Sequence, residues 1–303
     1  MKKFNNKSYE TLVNDLIGDT FYCGISYRGR VAKIRQYTEV IVRKLIDYDP
    51  DKGITLGKHC IEKRIHSIPN YCFIKDSLEN IRNYGNDDSH TQKRDVVTED
   101  EYNRVVDSLF NMLSILLINY FDKYKFGSNE EVMFSFSLLP PIIRYKVLSY
   151  LYEKDSENIS IIDKLVLSIM KAYDIDTAKK WIEKEKENLI LKKAITENAY
   201  NDLIEKKGIV YASYIYENII LNMYESCKQK ILTLEKNNME KNKLYLDFES
   251  ALPYYKENGV LSKGDEESNE FNDIMYFLYM GRKEQIKKEL SFNVLDSYVE
   301  DDE

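Results

Sequence analysis

Thr98-Glu-Asp-Glu-Tyr-Asn-Arg-Val-Val-Asp-Ser-Leu-Phe-Asn-Met-Leu-Ser-Ile-Leu-Leu-Ile-Asn-Tyr-Phe-Asp-Lys-Tyr-Lys125 is the stretch that decides the fold. It opens with a capping box, a threonine N-cap followed three residues later by glutamate, so two orphan backbone donors are satisfied reciprocally. Val105, Val106, Leu109, Met112, Leu113, Leu116 and Leu117 then recur at helical spacing. The spacing predicts one long apolar helix running to about Lys125. Its most apolar part, Leu109 to Phe121, is interrupted by Asn111, Ser114 and Asn119 and is shorter than a membrane span, so it reads as the buried axis of a helical domain.

Outward from that helix the pattern stays helical. The 303 residues include only 11 Gly and 5 Pro, few breaks for a chain of this length, and the fold class expected is all-α. Apolar residues at 43% and charged residues at 31% describe a globular chain with enough core for two domains, and many of its 25 tyrosines are expected to bury the ring and wet the hydroxyl. Leu12, Val13, Leu16 and Ile17 predict a first helix closed by Gly18. Val31, Ile34, Thr38, Ile41, Val42 and Leu45 predict a second over Arg28–Asp47, with Arg35 and Glu39 four apart on its surface. A turn at Asp49-Pro50-Asp51-Lys52-Gly53 and a short helix over 55–65 precede a helix over Phe73–Tyr84, for which Gly85 supplies a stop.

Phe126-Gly-Ser-Asn-Glu130 marks the expected boundary between a domain at 1–127 and a second helical domain at 128–303. In the latter, helices are expected over 142–153, 159–172, 175–206, 209–236, 244–256 and 270–290. Asp174 caps the third, and Tyr211, Ile215, Ile219, Tyr224 and Ile231 mark the core face of the fourth. No fixed repeat period stands out, and the acidic tail 298–303 is expected to fray.

Charge divides along the same line. Up to Gly127 there are 20 Lys+Arg against 18 Asp+Glu; beyond it there are 24 against 33, within a total of −7. This balance argues against an extended duplex-binding surface and leaves room for a local site in the first part. Cys23, Cys60, Cys72 and Cys227 have no regular spacing, and together with the start of the chain they suggest reduced thiols, a cytoplasmic location and no membrane segment. His59, Cys60, His66 and Cys72 fit no closed zinc pattern, and Cys60 and Cys72 read as small buried hydrophobes; no cofactor motif is present. Trp181, among Lys179, Lys180 and Lys184, reads as a helix anchor or as a stacking platform for a base.

Between the two first-domain helices lies Ile81-Arg-Asn-Tyr-Gly-Asn-Asp-Asp-Ser-His90, a polar stretch read as a loop with arginine at its head and histidine at its tail. Arginine is permanently cationic and histidine exchanges a proton near neutrality. Read structurally, Arg82 would cap carbonyls or pair with Glu39, His90 would donate to backbone, and Asn86 would hold the turn.

This stretch, together with Arg30-Val-Ala-Lys-Ile-Arg-Gln-Tyr-Thr-Glu-Val-Ile-Val-Arg-Lys-Leu45, resembles the HEPN-like domains of restriction-associated, abortive-infection and toxin proteins. The similarity covers about residues 28–126 and is greatest to the subgroup with a Gly-Asn pair between arginine and histidine. The resemblance implies a helical bundle that dimerises with its Arg…His segments facing, and a metal-independent endoribonuclease. Arg82 and His90 would be catalytic, and Asn83, Asn86 and Glu39 would orient or bind RNA. In that chemistry a ribose 2′-hydroxyl attacks phosphorus, histidine transfers the proton, and arginine holds the phosphate oxygens, leaving a 2′,3′-cyclic phosphate. Seven residues separate Arg82 from His90 here, more than in many active members, and Asp87 and Asp88 add negative charge beside the proposed phosphate site. The alternative is a non-catalytic dimerisation and protein-interaction module, whose acidic C-terminal half would bind a protein partner or an antitoxin.

Overall fold

In a computed structural model, the described residues are 4–89, 96–236, 246–262 and 264–284. They are all-α, and their only β feature is an isolated bridge between Lys193 and Asn222. The first group of helices comprises α1 (Asn6–Ile17), α2 (Tyr27–Leu45), α3 (His59–Ile65), α4 (Tyr71–Ser89) and α5 (Glu99–Lys123). Then follow α6 (Glu130–Phe136), α7 (Pro141–Lys154), α8 (Ile159–Ala172), α9 (Ile175–Lys184) and α10 (Lys186–Ile190). The last are α11 (Glu197–Lys207), α12 (Ile209–Asn218), α13 (Met223–Lys236), α14 (Phe248–Asn258) and α15 (Glu266–Tyr279).

Helix α5 is the axis that its sequence predicts. The Thr98 hydroxyl accepts from the Glu101 amide at 3.3 Å, and the Glu101 carboxylate accepts from the Thr98 amide at 2.9 Å. Such a cap stabilises by about 1 kcal/mol. Although α5 is long and apolar enough to cross a membrane, it is packed on by α2, α4, α7 and α15, and Val105, Leu109, Met112, Leu113, Leu117 and Ile118 are fully enclosed. Each such side chain contributes roughly 1.5–3 kcal/mol of transfer free energy. From α7 the chain builds outward through α8, and α9 and α13 pack on α8 in turn.

The boundary expected at 127/128 falls on a tight turn with Gly127 at φ 91°, and the hydrophobic core runs across it without a break. Helix α15 then returns to the first helices. Asn6 Nδ2 donates to Asp273 Oδ1 at 2.9 Å, Asn14 Nδ2 to the Gly281 carbonyl at 2.6 Å, and the Phe271 ring meets Tyr120. Beside this seam, Arg282 and Glu249 form a buried ion pair of 2.9 Å, the guanidinium lying 4.4 Å from the Phe248 ring centroid.

Several expected limits are corrected. Gly18 does not close α1; it keeps right-handed helical torsions, and the chain passes into a π-helical turn over Gly18–Tyr22. Gly85 does not stop α4, whose backbone continues to Ser89, because nothing forces the glycine to positive φ. The helix expected over 175–206 is divided at Glu185 and again before the Thr196 cap, and that over 209–236 is divided at Ile219–Asn222. In the latter, Tyr224 and Ile231 are core, but Tyr211 and Ile219 are exposed, so the expected core face exists only in α13. The acidic tail 298–303 lies outside the described residues.

Candidate functional site

Of the segment read as a polar loop, residues 81–89 are the C-terminal part of α4, and this changes what each residue can reach. Arg82 points at the α3 side of the helix. Its Nη1 donates to Glu62 Oε1 at 2.7 Å, and its Nη2 lies over Gly57, where a Cβ would come within 2.8 Å of it. Gly57 has φ 98°, so the sequence Leu56-Gly57-Lys58 passes under the guanidinium with a backbone that only glycine adopts without strain. Among the described residues the buried Nε has no hydrogen-bond partner, and about a third of the Arg82 side chain remains exposed, 31%.

Around this pair stand two further rings. The Tyr71 phenol is raised above its ordinary value by burial, against the attraction of the nearby Arg82 charge, with Glu62, Glu79 and Asp76 adding to the rise. His66 packs on Tyr71 with ring centroids 4.7 Å apart. Arg82, Glu62, Tyr71 and His66 therefore form one cluster at the α3–α4 corner. Its sequence signal was the four-residue step from Glu62 to His66, which puts a carboxylate and an imidazole on one face of a short helix.

The other expected site residues separate. Asn83 is exposed on α4, one position on from Arg82 and so turned by about 100° around the helix. The side chain of Asn86 and the whole of His90 lie outside what the structure describes. Glu39 is half-buried on α2, where burial pushes its carboxyl up while Arg35 and Arg43, one turn away on either side, pull it down. It does not pair with Arg82. The carboxylate that does is Glu62, because α3 rather than α2 supplies the surface facing Arg82.

A second polar cleft, unforeseen from the sequence, separates α4 from α5. It has a volume of about 980 Å³ and includes Asp76, Asn80, Asp100, Asn103, Arg104 and Asp107 in its lining. Asn80 donates to Ser108 at 2.8 Å and Asn111 to Ser77 at 2.8 Å, so the cleft floor is a hydrogen-bonded seam between the helices. Asp107 is paired with Lys146 at 2.7 Å, and Asp76 and Asp100 against Arg104 still leave the cleft negative, which disfavours a phosphate.

Among the remaining candidates, His59, Cys60, His66 and Cys72 form no cluster able to hold a metal. Cys60 and Cys72 are exposed rather than buried, a correction to their reading as core residues. Trp181 is half-buried edge-to-face against Tyr152 at 5.3 Å, with Ile182 buried next to it, which is the geometry of a helix anchor.

A further feature is the hairpin of α11 and α12, which pack chiefly on each other. Helix α11 has no buried residue and α12 has only Ala212. Val210 is 83% exposed, Ile209 64%, and Tyr211, Tyr214 and Ile219 half or more. A shallow groove of about 420 Å³ runs along Ile209, Val210, Ser213, Tyr214, Glu217 and Asn218.

No known protein family, curated protein or solved structure matches the chain.

Proposed function

We propose that this chain is a protein-interaction module, a HEPN-like helical bundle extended by an acidic helical half that docks a protein through the α11–α12 hairpin. The observation that carries this reading is the exposure of α12. Ile209, Val210, Tyr211 and Tyr214 stand half or more in solvent within this one short helix. Support also comes from Arg82, whose guanidinium is paired with Glu62 and lies over Gly57, so that its charge is countered before any phosphate arrives. An ion pair of this kind lowers the local positive potential on which phosphate binding depends.

A second reading is favoured by one observation, the His66–Tyr71 stack beside the part-exposed Arg82. An imidazole, a guanidinium and a carboxylate in one cluster are the groups that metal-independent RNA cleavage uses. In that reading the chain is a defence- or toxin-type endoribonuclease acting through Arg82 and His90, with His66 as a further proton carrier.

One assay separates the two. Purified protein is incubated in EDTA with total RNA and a tRNA pool, alongside Arg82→Ala, His90→Ala and His66→Ala, with helicity followed by circular dichroism. The interaction reading expects no metal-independent cleavage by the wild type. Cleavage that disappears in folded Arg82→Ala and His90→Ala would replace it with the nuclease reading.

A further inference from the structure

Helix α12, Ile-Val-Tyr-Ala-Ser-Tyr-Ile-Tyr-Glu-Asn, is apolar on nearly every side, a pattern that belongs to helices enclosed by protein. Among the described residues α12 is covered chiefly on the side toward α11, through Ala212, the Tyr200–Tyr216 ring pair at 5.0 Å and the Tyr200 hydroxyl 3.5 Å from Ser213, with Lys193 over the Tyr216 ring. We propose that a second copy of this chain covers the rest, so that two α11–α12 hairpins pack against each other in a homodimer. The inference rests on reading the hairpin as a docking surface and names its occupant.

Three features select a second copy. The first is area. The exposed parts of Ile209, Val210, Tyr211, Tyr214, Tyr216 and Ile219 amount to on the order of 500 Å² of mostly apolar side chain, taking about 200 Å² for a tyrosine and about 100 Å² for an aliphatic side chain. One side of an interface of ordinary size buries roughly 800 Å², about two thirds of it apolar when the partners are identical, so the patch is what one subunit of a homodimer would supply.

The second is charge. The chain as a whole carries −7, but residues 193–221 contain three lysines and four carboxylates, near balance. Lys206 is paired with Asp202 within α11, and Lys193 is turned to the Glu217 and Ile220 carbonyls. A strongly basic or acidic partner would gain little from such a rim, whereas an identical surface of mixed sign meets it without repulsion. The third is composition. The centre of the patch has tyrosine and branched aliphatic residues and a single charged side chain, Glu217, as in the charge-depleted cores of two-fold interfaces.

The test is sedimentation equilibrium of the full chain, wild type against the double variant Val210→Glu with Tyr214→Glu, and against Val96→Glu, an 85%-exposed valine outside the hairpin. Both hairpin positions face solvent in the single chain, so the variant folds, which circular dichroism checks. The expected result is a wild-type mass of twice 35.9 kDa and a monomeric double variant. Its dimer dissociation constant should rise by at least about a hundredfold, and Val96→Glu should be unchanged. A double variant that stays dimeric overturns the inference by placing the dimer elsewhere. If the wild type is monomeric, mapping tyrosine nitration by mass spectrometry locates the failure. Nitration of Tyr211 and Tyr214 overturns the second copy but keeps the docking surface open for another protein. Protection of both tyrosines in a monomer overturns the docking reading as well.

Discussion

Replacing Arg282 by methionine tests how the two ends of the chain are held together. The Arg282 and Glu249 side chains are 3% and 4% exposed, and Arg282 Nη1 donates to Glu249 Oε1 at 2.9 Å. Among the described residues its buried Nε and Nη2 make no hydrogen bond of ordinary geometry, although the buried Tyr37 hydroxyl lies beside the pair and feels both charges. The substitution strands the Glu249 carboxylate in an apolar surrounding of Phe248 and Phe21, for which the cost of breaking a buried pair is about 3–5 kcal/mol. Removal of the two unsatisfied donors gives part of that back, at about 1 kcal/mol or more for each. The net loss expected is therefore about 1–3 kcal/mol. With a urea slope of about 3 kcal/mol per molar, the midpoint should fall by about 1 M or less. Adding Glu249→Leu removes the stranded charge, so the double variant should recover most of the loss. Equilibrium urea unfolding followed by circular dichroism measures all three proteins. A single variant that loses less than about 1 kcal/mol, or a double variant no better than the single, would refute the picture of a paired charge in a dry site.

Gly281→Ala should destabilise by about 2–5 kcal/mol, since φ is 73° and the new Cβ would lie 2.5 Å from the Asn14 amide nitrogen, while Gly264→Ala, with nothing within 4 Å, should not; thermal unfolding compares them. Burial pushes the phenols of Tyr152, Tyr173 and Tyr255 from 10.0 up to about 12. Their raised values favour the folded state fully below pH 10.0, and that contribution is lost as pH rises through about 12. Stability should therefore fall steeply between those limits, and ultraviolet phenolate absorbance should rise together with loss of helicity.

The fold was legible where local chemistry and burial agree. Thr98 and Glu101 announce the start of α5 by reciprocal capping, Asp174 caps α9 by accepting from the Thr177 amide at 2.6 Å, and Gly208, at φ 84°, ends α11 where the pattern pauses. The site was less legible because glycine is permissive rather than directive. Gly85 could have ended a helix, but packing of α4 on α2 and α5 outweighs a cost of about 1 kcal/mol and carries the helix through it. That one decision carried 85–89 into the helix, whereas Arg82, helical in either case, pairs with Glu62 instead of Glu39 because α3 faces it. Periodicity likewise shows that a face of α12 is apolar and is silent on what covers it, so Tyr211 and Ile219 were assigned to a core that Tyr224 and Ile231 alone enter.

The return of α15 to α1 also has a meaning in time. Asn6 and Asp273 are 267 residues apart, so at about 5–20 residues per second the first helix waits roughly 15–50 s during synthesis for the surface that completes it. Until then the faces of α1, α2 and Tyr120 that α15 packs against stay open, and the architecture closes only once residues 266–279 have been made.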